Sequence, residues 1–172
     1  MGLAVYGVMS FNRLVALRNR VDSAWAQIDV QLKRRHDLIP NLVETVKGYA
    51  AHERETLERV VQARNIAVAA QGPQAQAQAE SALSGTLKTL FAVTEAYPDL
   101  KANQNFLQLQ EELTSTEDRI AYSRQFFNDS VQKLNTTIET FPSTFFAGPA
   151  KATRREYFQT DEADRSNVQV QF

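Results

Sequence analysis

Apolar residues recur at alternating intervals of three and four from Phe11 to Ala67, and this periodicity constrains the fold more than any other feature of the chain. Apart from Arg18, Arg35, Glu53 and Thr56, the series is apolar: Phe11, Leu14, Val21, Trp25, Ile28, Leu32, Ile39, Leu42, Val46, Tyr49, Val60, Ala63 and Ala67. The spacing matches one face of an α-helix. It predicts one long amphipathic helix that begins near the N-terminus, ends near Ala70 and packs along this face.

Pro40 is the one residue inside this helix that opposes helical geometry. A proline has no amide hydrogen, and its ring clashes with the carbonyl four residues earlier, here that of His36. The series nevertheless stays in phase from Trp25 to Tyr49. We therefore expect a kinked helix that continues through Pro40, without an intervening loop.

Two further long helices are predicted. Gln71-Gly72-Pro73 ends the first helix, a second helix spans about residues 74–96, and a third opens between residues 101 and 105 and ends near Phe141. The third helix has its own seam: Phe106, Leu109, Leu113, Glu117, Ile120, Arg124, Phe127, Val131, Leu134, Ile138 and Phe141. At 172 residues the chain suits one core. The predicted fold is an all-α, antiparallel bundle of long helices with a kinked first helix and a short C-terminal helix or extended tail.

Several classes of chemistry find no support in the sequence. The chain has no cysteine, and its glycines form no phosphate-binding loop or nucleophile elbow. Neither His36 nor His52 lies in the Glu-x-x-His frame of di-iron bundles. A net charge of −1 and a pI near 6.1 do not favour nucleic acid. We therefore expect a non-enzymatic protein with no catalytic residues, no cofactor, no metal and no nucleic-acid partner.

The segment from Gly2 to Phe11 is uncharged and mostly apolar. It is shorter than the roughly 20 residues that span a bilayer, and it lacks the basic start and cleavage site of a signal peptide. Two interpretations remain: the end of a membrane anchor, or a short apolar helix end that packs on a neighbour.

Three separated blocks resemble the LemA family of bacterial proteins: DVQLKRRHDLIPNLVETVKGYAAHE (29–53), AYPDLKANQNFLQLQEELTSTEDRIAYSRQFFNDSV (96–131) and REYFQTDEADR (155–165). The resemblance implies a helical bundle behind a single N-terminal membrane helix, with no established enzymatic activity. Members usually carry a full apolar span ahead of the segment that reads FNRLVALRNRVDSAW here, which favours the anchor interpretation. We expect an anchor remnant at 1–12, the bundle at 13–150 and a tail at 151–172 that packs on the bundle or docks a partner.

Two groups of residues on the helices are candidates for interactions. The first is the basic run Lys33, Arg34 and Arg35, a candidate anchor for anionic lipid or nucleic acid. In the alternative that we favour, Arg35 and also Arg34 pair with carboxylates in the bundle, for which Glu111, Glu112 and Glu117 are the candidates. The second surrounds the expected kink and comprises His36, Pro40, Asn41, Asn103, Asn105 and Gln110. Its amides would bond the carbonyls that the kink releases, or line a cleft for a ligand.

In the tail, Arg155, Tyr157 and Phe158 would form a lid over the bundle or a surface that docks a partner. Ser166–Phe172 alternates apolar and polar residues and is expected to be extended.

The predicted function is that of a membrane-associated scaffold or adaptor, with the membrane as partner through the N-terminus and protein partners or self-association through the helix faces. The alternatives are a self-assembling, membrane-organising protein, and a ligand-binding or enzymatic subunit that acts at Pro40. Arg13, Arg18 and Arg20 follow the apolar segment, and the positive-inside rule then places the bundle on the cytoplasmic side of the bacterial inner membrane.

Overall fold

A computed structural model describes residues 2–159, and every regular element in that range is helical. The helices are α1 (Gly2–Lys47), α2 (Arg54–Ala69), α3 (Pro73–Thr94), α4 (Pro98–Lys101), α5 (Gln104–Glu139) and α6 (Thr144–Ala147). The protein is thus an all-α helical bundle, as the periodicity predicts. Ser166–Phe172, expected to be extended, lies outside the described residues.

The described chain forms two compact units. The first contains residues 2–30 and 120–157. Its core uses the predicted seams of α1 and α5, and the Trp25 and Phe127 rings pack with their centroids 5.3 Å apart. The buried apolar residues that α1 and α5 contribute to this unit are Leu14, Val21, Ala24, Ile28, Ile120, Phe127, Val131 and Leu134.

The second unit contains residues 31–119, together with residues 158–159. Five helices, α1 to α5, supply its core, in which Phe91 and Phe106 pack with ring centroids 6.2 Å apart. The helical residues of this cluster are Ile39, Leu42, Val46, Leu57, Val60, Ala63, Ala67, Ala79, Leu83, Leu87, Leu90, Leu100, Phe106 and Leu113. This unit holds most of the residues that the sequence marked as interaction candidates.

The prediction of one helix to Ala70 is wrong. α1 ends at Lys47, and a turn with a 3₁₀ segment at Ala51–Glu53 leads into α2. Gly48 and Tyr49 close the end of α1 by donating to the carbonyls of Glu44 and Val46. The series misses this break because the same face stays buried on both sides of it. Periodicity reports which residues face the core, and it is blind to a turn that preserves that face.

Two other expectations concern proline and the end of α5. α1 continues through Pro40, as predicted. Phe141, however, is not buried: α5 ends at Glu139, and the Phe141 side chain is 74% exposed. The helical spacing no longer applies beyond the last helical residue, so Phe141 leaves the seam.

Candidate functional site

Arg35 lies at the centre of a buried charge cluster in the second unit. Its side chain is only 2% exposed. Nη1 lies 3.1 Å from Oε2 of Glu117 and 3.5 Å from Oε2 of Glu80, and Nη2 donates to Oγ of Ser84 over 2.6 Å. Ser84 in turn donates to Oε1 of Glu117 over 3.1 Å. The guanidinium therefore connects α1 to both α3 and α5.

Glu80 is the second buried charge, and it is 3% exposed. Its Oε1 forms a hydrogen bond with Nε2 of His36 and accepts another from Nε2 of Gln76 over 3.0 Å. Gln76 also donates to the carbonyl of Ala67 over 2.9 Å. The Glu80 carboxylate on α3 thus binds groups on α1, and Gln76 beside it joins α3 to the end of α2. Buried charges of this kind persist because each has a charged or hydrogen-bonding partner.

Two polar atoms of the cluster have no hydrogen-bond partner. They are Nε of Arg35 and Oε2 of Glu80, although that oxygen keeps its charge contact with the guanidinium. Glu117, unlike Glu80, has a half-exposed side chain. Of the two carboxylates on Arg35, only Glu117 is therefore free to exchange with solvent or a bound group.

A cleft of about 580 Å³ adjoins this cluster, between α3 and α5. Its volume falls in the usual range for small-molecule sites, about 300–1,000 Å³. Arg35 and Lys88 provide the cations of its lining, and Glu117 and Asp118 the carboxylates. The remaining lining residues are Ser81, Ser84, Gly85, Leu87, Phe91, Leu113 and Thr114. The cleft can accommodate a molecule with both charged ends and an apolar part.

The carbonyl that Pro40 leaves without a helical partner is bound by Arg64. Nε of Arg64, on α2, donates to the carbonyl oxygen of His36 over 2.8 Å. The expectation that asparagines around the kink supply this donor is wrong for this carbonyl. Arg64 reaches it because α2 folds back along α1 after the turn, an arrangement that a continuous helix would not produce.

The asparagines of the kink region have other positions. Asn103 caps α5, with Oδ1 accepting from the amide of Phe106 over 3.0 Å and Nδ2 donating to the Tyr49 hydroxyl over 2.9 Å. Asn41 and Asn105 line an open, polar groove of about 500 Å³. Its other lining residues are Leu38, Glu44, Thr45, Gln108, Leu109 and Glu112. His36 is buried against Glu80, so the structure does not join His36 and Asn41 in one pocket.

The basic run divides as expected for consecutive helical residues, which point about 100° apart. Arg35 is buried and pairs with Glu117, one of the partners proposed from the sequence. Arg34 is exposed and lies 3.7 Å from Glu112. Lys33 is also exposed. The three residues therefore present no common basic surface.

The tail residues up to 159 are held by specific contacts. The amide of Arg155 donates to Oδ1 of Asn135 over 2.9 Å, and its carbonyl accepts from Nδ2 over 3.0 Å. Its guanidinium lies 3.1 Å from Asp22. Tyr157 is partly buried, and Phe158 is 3% exposed. Arg155 and Phe158 are therefore held against the protein, and the tail beyond residue 159 lies outside the described range.

Glu80, Gln76, Ser84 and Arg64 escaped the sequence analysis. A signal for two of them exists, because Gln76, Glu80, Leu83, Leu87 and Leu90 follow one another at intervals of four and three. Because the series begins with Gln76 and Glu80, which are polar, apolar spacing alone does not identify these two positions as part of the buried face of α3. Arg64 left no such signal, since its partner is a main-chain carbonyl.

Two kinds of feature are absent from the described residues. From residue 2 to residue 159, no group of three or more histidine and carboxylate side chains is placed to hold a metal ion. Over the same stretch, no helix has a segment both long and apolar enough to cross a bilayer.

The fold and this cluster define an all-α bundle protein whose central polar feature is a buried arginine–glutamate–histidine network. The chain belongs to the LemA family, whose model matches residues 24–172. Protein LemA of Metamycoplasma hominis is 29% identical over 161 residues, covering 91% of this chain and 72% of that protein. Magnetosome protein MamQ 2 of Paramagnetospirillum magneticum is 24% identical, and MamQ of Magnetospirillum gryphiswaldense 25%. Each alignment covers 91% of this chain and 67% of the relative.

Proposed function

We propose that this protein is a non-catalytic, membrane-associated scaffold or adaptor that contacts the bilayer through the start of α1. The observation that carries the proposal is the exposure of apolar side chains there. Val5, Val8 and Met9 are 59%, 61% and 66% exposed. A helix end with such a surface gains free energy when a bilayer removes it from water.

The charge pattern supports the same contact. No charged residue occurs from Gly2 to Phe11, and Arg13 follows directly. Arg18 donates to the carbonyl of Ala150 over 2.9 Å, and Arg20 lies 5.0 Å from the centroid of Phe126. Basic residues after an apolar segment suit the anionic face of a membrane. We assign the bundle to the cytoplasmic side of the bacterial inner membrane on this pattern, and the LemA and MamQ relatives support membrane association.

The experiment that tests the proposal is vesicle flotation of the full chain. In the variant V5E/V8E/M9E, three exposed apolar side chains become charged without any change to the core. The matched control is V30E/I66E/V68E, whose positions are 62%, 63% and 55% exposed. Both variants gain the same three negative charges.

We expect the wild type and the control to float with vesicles of phosphatidylcholine and phosphatidylglycerol, and the N-terminal variant to stay in the dense fraction. Equal flotation of the two variants would reject residues 2–11 as the contact. Circular dichroism on the same samples checks that the helices are retained.

A scaffold also needs partners, and the bundle surface offers helix faces for other proteins or for a second copy. Val61 on α2 and Leu107 on α5 are apolar side chains that remain exposed on the helix faces. Sedimentation velocity across a concentration series measures self-association directly. A mass that rises with concentration supports a self-assembling scaffold, and a constant monomer mass assigns the helix faces to other proteins.

A second candidate function, ligand binding, is favoured by the cleft beside Arg35. Its lining carries two cations and two carboxylates beside Leu87, Phe91 and Leu113. That combination suits a small zwitterion with an apolar side chain, for which free phenylalanine is a suitable probe. We expect saturable heat on calorimetric titration, lost in Gly85→Leu because the new side chain enters the cleft. Titration without saturable heat would remove this candidate and leave the scaffold proposal intact.

A further inference from the structure

Phe141 and Phe145 form an exposed aromatic pair in the first unit. Their side chains are 74% and 70% exposed, and their rings meet edge to face with centroids 5.8 Å apart. Aromatic rings of this kind dominate contact energies when they are buried. Burial of these two exposed rings in a contact would therefore stabilise that contact.

The pair sits on an ordered turn. The amide of Thr144 donates to the carbonyl of Thr140 over 3.0 Å, and the amide of Phe146 donates to Ser143 over 2.9 Å. Ser143 and Ala147 are themselves buried. The turn and α6 fix the backbone around Phe141 and Phe145. The two rings are therefore held at the surface by ordered backbone.

The same turn lies directly against the start of α1. A Cβ placed on Gly7 would lie 3.1 Å from the ring of Phe146, so only glycine allows this close approach without a shift of the ring. Hydrogen bonding from the side chains of Ser10 and Ser143 lowers the pKa of Tyr6 below its ordinary value. The aromatic pair therefore belongs to the same end of the unit as Val5, Val8 and Met9.

The charges at this end are basic. Glu139 is the only acidic residue in segments 2–14 and 139–155, and it pairs with Arg154. Arg155 pairs with Asp22. Arg13 and Lys151 remain as an excess of positive charge, and both are exposed. An anionic lipid surface complements this arrangement, because basic residues close to a membrane are attracted to its negative surface potential.

We infer that Phe141 and Phe145 are a second membrane contact, which inserts into the headgroup region of an anionic bilayer beside the start of α1. The inference rests on the proposed function and adds a contact that is separate in sequence from residues 2–11. A lipid surface fits better than a second protein copy, because two rings cover far less than the roughly 1,200 Å² of a stable protein interface. Phenylalanine is also among the residues that interfacial helices bury at the boundary between headgroups and acyl chains.

The test places a tryptophan at the contact in the full chain. F145W is compared with Y122W, since Tyr122 is 75% exposed but lies on α5 well before its end. Both variants keep Trp25, whose signal is therefore common to the two. The probe is a vesicle of phosphatidylcholine and phosphatidylglycerol in which the phosphatidylcholine is brominated, because bromine quenches tryptophan that enters the bilayer.

We expect clearly stronger quenching in F145W than in Y122W, and a loss of about tenfold or more in vesicle partitioning for F141S/F145S but not for Y122S. Equal quenching in F145W and Y122W would overturn the inference. A second result would also overturn it: a concentration-dependent dimer of the wild type, measured without vesicles, that F141S/F145S abolishes. The aromatic pair would then bind a second copy of the chain.

The two proposals fail separately. In one outcome, V5E/V8E/M9E fails to float, and F145W, which keeps residues 2–11 unchanged, binds vesicles without quenching of its new tryptophan. The N-terminal contact then stands and the aromatic contact is refuted. If V5E/V8E/M9E still floats and F145W is quenched, the aromatic contact stands, and the assignment of attachment to residues 2–11 is refuted.

Discussion

Arg64 donates a hydrogen bond of 2.8 Å to the main-chain carbonyl of His36, the carbonyl that lies four residues before Pro40. In an uninterrupted helix this carbonyl would accept from the amide at position 40, which proline lacks. A side chain from α2 thus replaces the missing main-chain donor and allows α1 to continue. Pro40 and Arg64 form one structural feature, although they are on different helices.

This relationship predicts coupling between Pro40 and Arg64. Arg64→Ala leaves the His36 carbonyl without its donor and should lower the free energy of unfolding by about 1–3 kcal/mol. In the Pro40→Ala background the new amide can bind that carbonyl, so the same change should cost about 1 kcal/mol less. Urea denaturation of the four proteins measures the difference. Additive effects would show that Arg64 does not substitute for the proline's missing amide.

The buried charge cluster predicts a large asymmetry between single and double replacements. Arg35→Met leaves Glu80 buried without its cation and should cost about 3–5 kcal/mol of stability. Adding Glu80→Met removes the stranded carboxylate, so the double variant should be more stable than the sum of the single effects indicates. The measurement is chemical denaturation followed by circular dichroism.

The control for that prediction is Arg59→Met. Arg59 and Glu55 form an ion pair of 2.5 Å on α2, with side chains 66% and 80% exposed. Solvated pairs of this kind contribute about 0–1 kcal/mol. A comparable cost for Arg59→Met and Arg35→Met would show that burial does not determine the contribution of these pairs.

Gly85 and Gly7 predict opposite responses to the same substitution. Both lie within helices, where alanine is favoured over glycine by about 1 kcal/mol. A Cβ at Gly85 would meet nothing within 4 Å, whereas one at Gly7 would press on Phe146. Gly85→Ala should raise the melting temperature, and Gly7→Ala should leave it unchanged or lower it. Equal gains at both positions would contradict the close approach of α1 to Phe146.

Tyr97 predicts a change of stability at alkaline pH. Its hydroxyl donates to Oε1 of Glu53 over 3.0 Å, and this hydrogen bond, with burial and the negative charge of Glu53, raises the tyrosine pKa above its ordinary value of 10.0. The folded state therefore holds the proton more tightly than the unfolded state. The resulting stability is complete below pH 10.0 and is lost as the pH rises through the folded pKa.

Absorbance titration of tyrosine ionisation measures this effect. Tyr97→Phe should remove a component that titrates above pH 10.0, and Glu53→Gln should return the Tyr97 pKa toward its ordinary value. An unchanged titration in Glu53→Gln would exclude the carboxylate as the cause. The alkaline loss of stability should be smaller in Tyr97→Phe than in the wild type.

Much of the architecture follows from the sequence because burial on a helix is periodic. Ile28, Leu32, Ile39, Leu42 and Val46 are all buried as the three-four series requires. Gly72 and Pro73 stand where the sequence ended the first helical region. Glycine and proline act on the backbone at their own positions, so such signals need no knowledge of the rest of the chain.

The candidate site was only half visible. The sequence identified Arg35 as a charge on an apolar seam, and Glu117 as a charge on the facing seam. It did not identify Glu80, which occupies an alanine- and glutamine-rich helix start that has too few apolar residues to define a face. The sequence pattern also placed Phe141 in the core, because apolar spacing does not identify the residue at which a helix ends.

The sequence by itself determined the helical class, the buried faces and the family, since each depends on residue types at fixed spacing along one chain. The tertiary structure decided the turn after Lys47, the donor on the His36 carbonyl, the partners of Arg35 and the exposure of the Phe141–Phe145 pair. Those features depend on which residues from distant segments approach within a few ångströms. That proximity is set by how the helices pack, and a one-dimensional pattern of apolar spacing does not encode it.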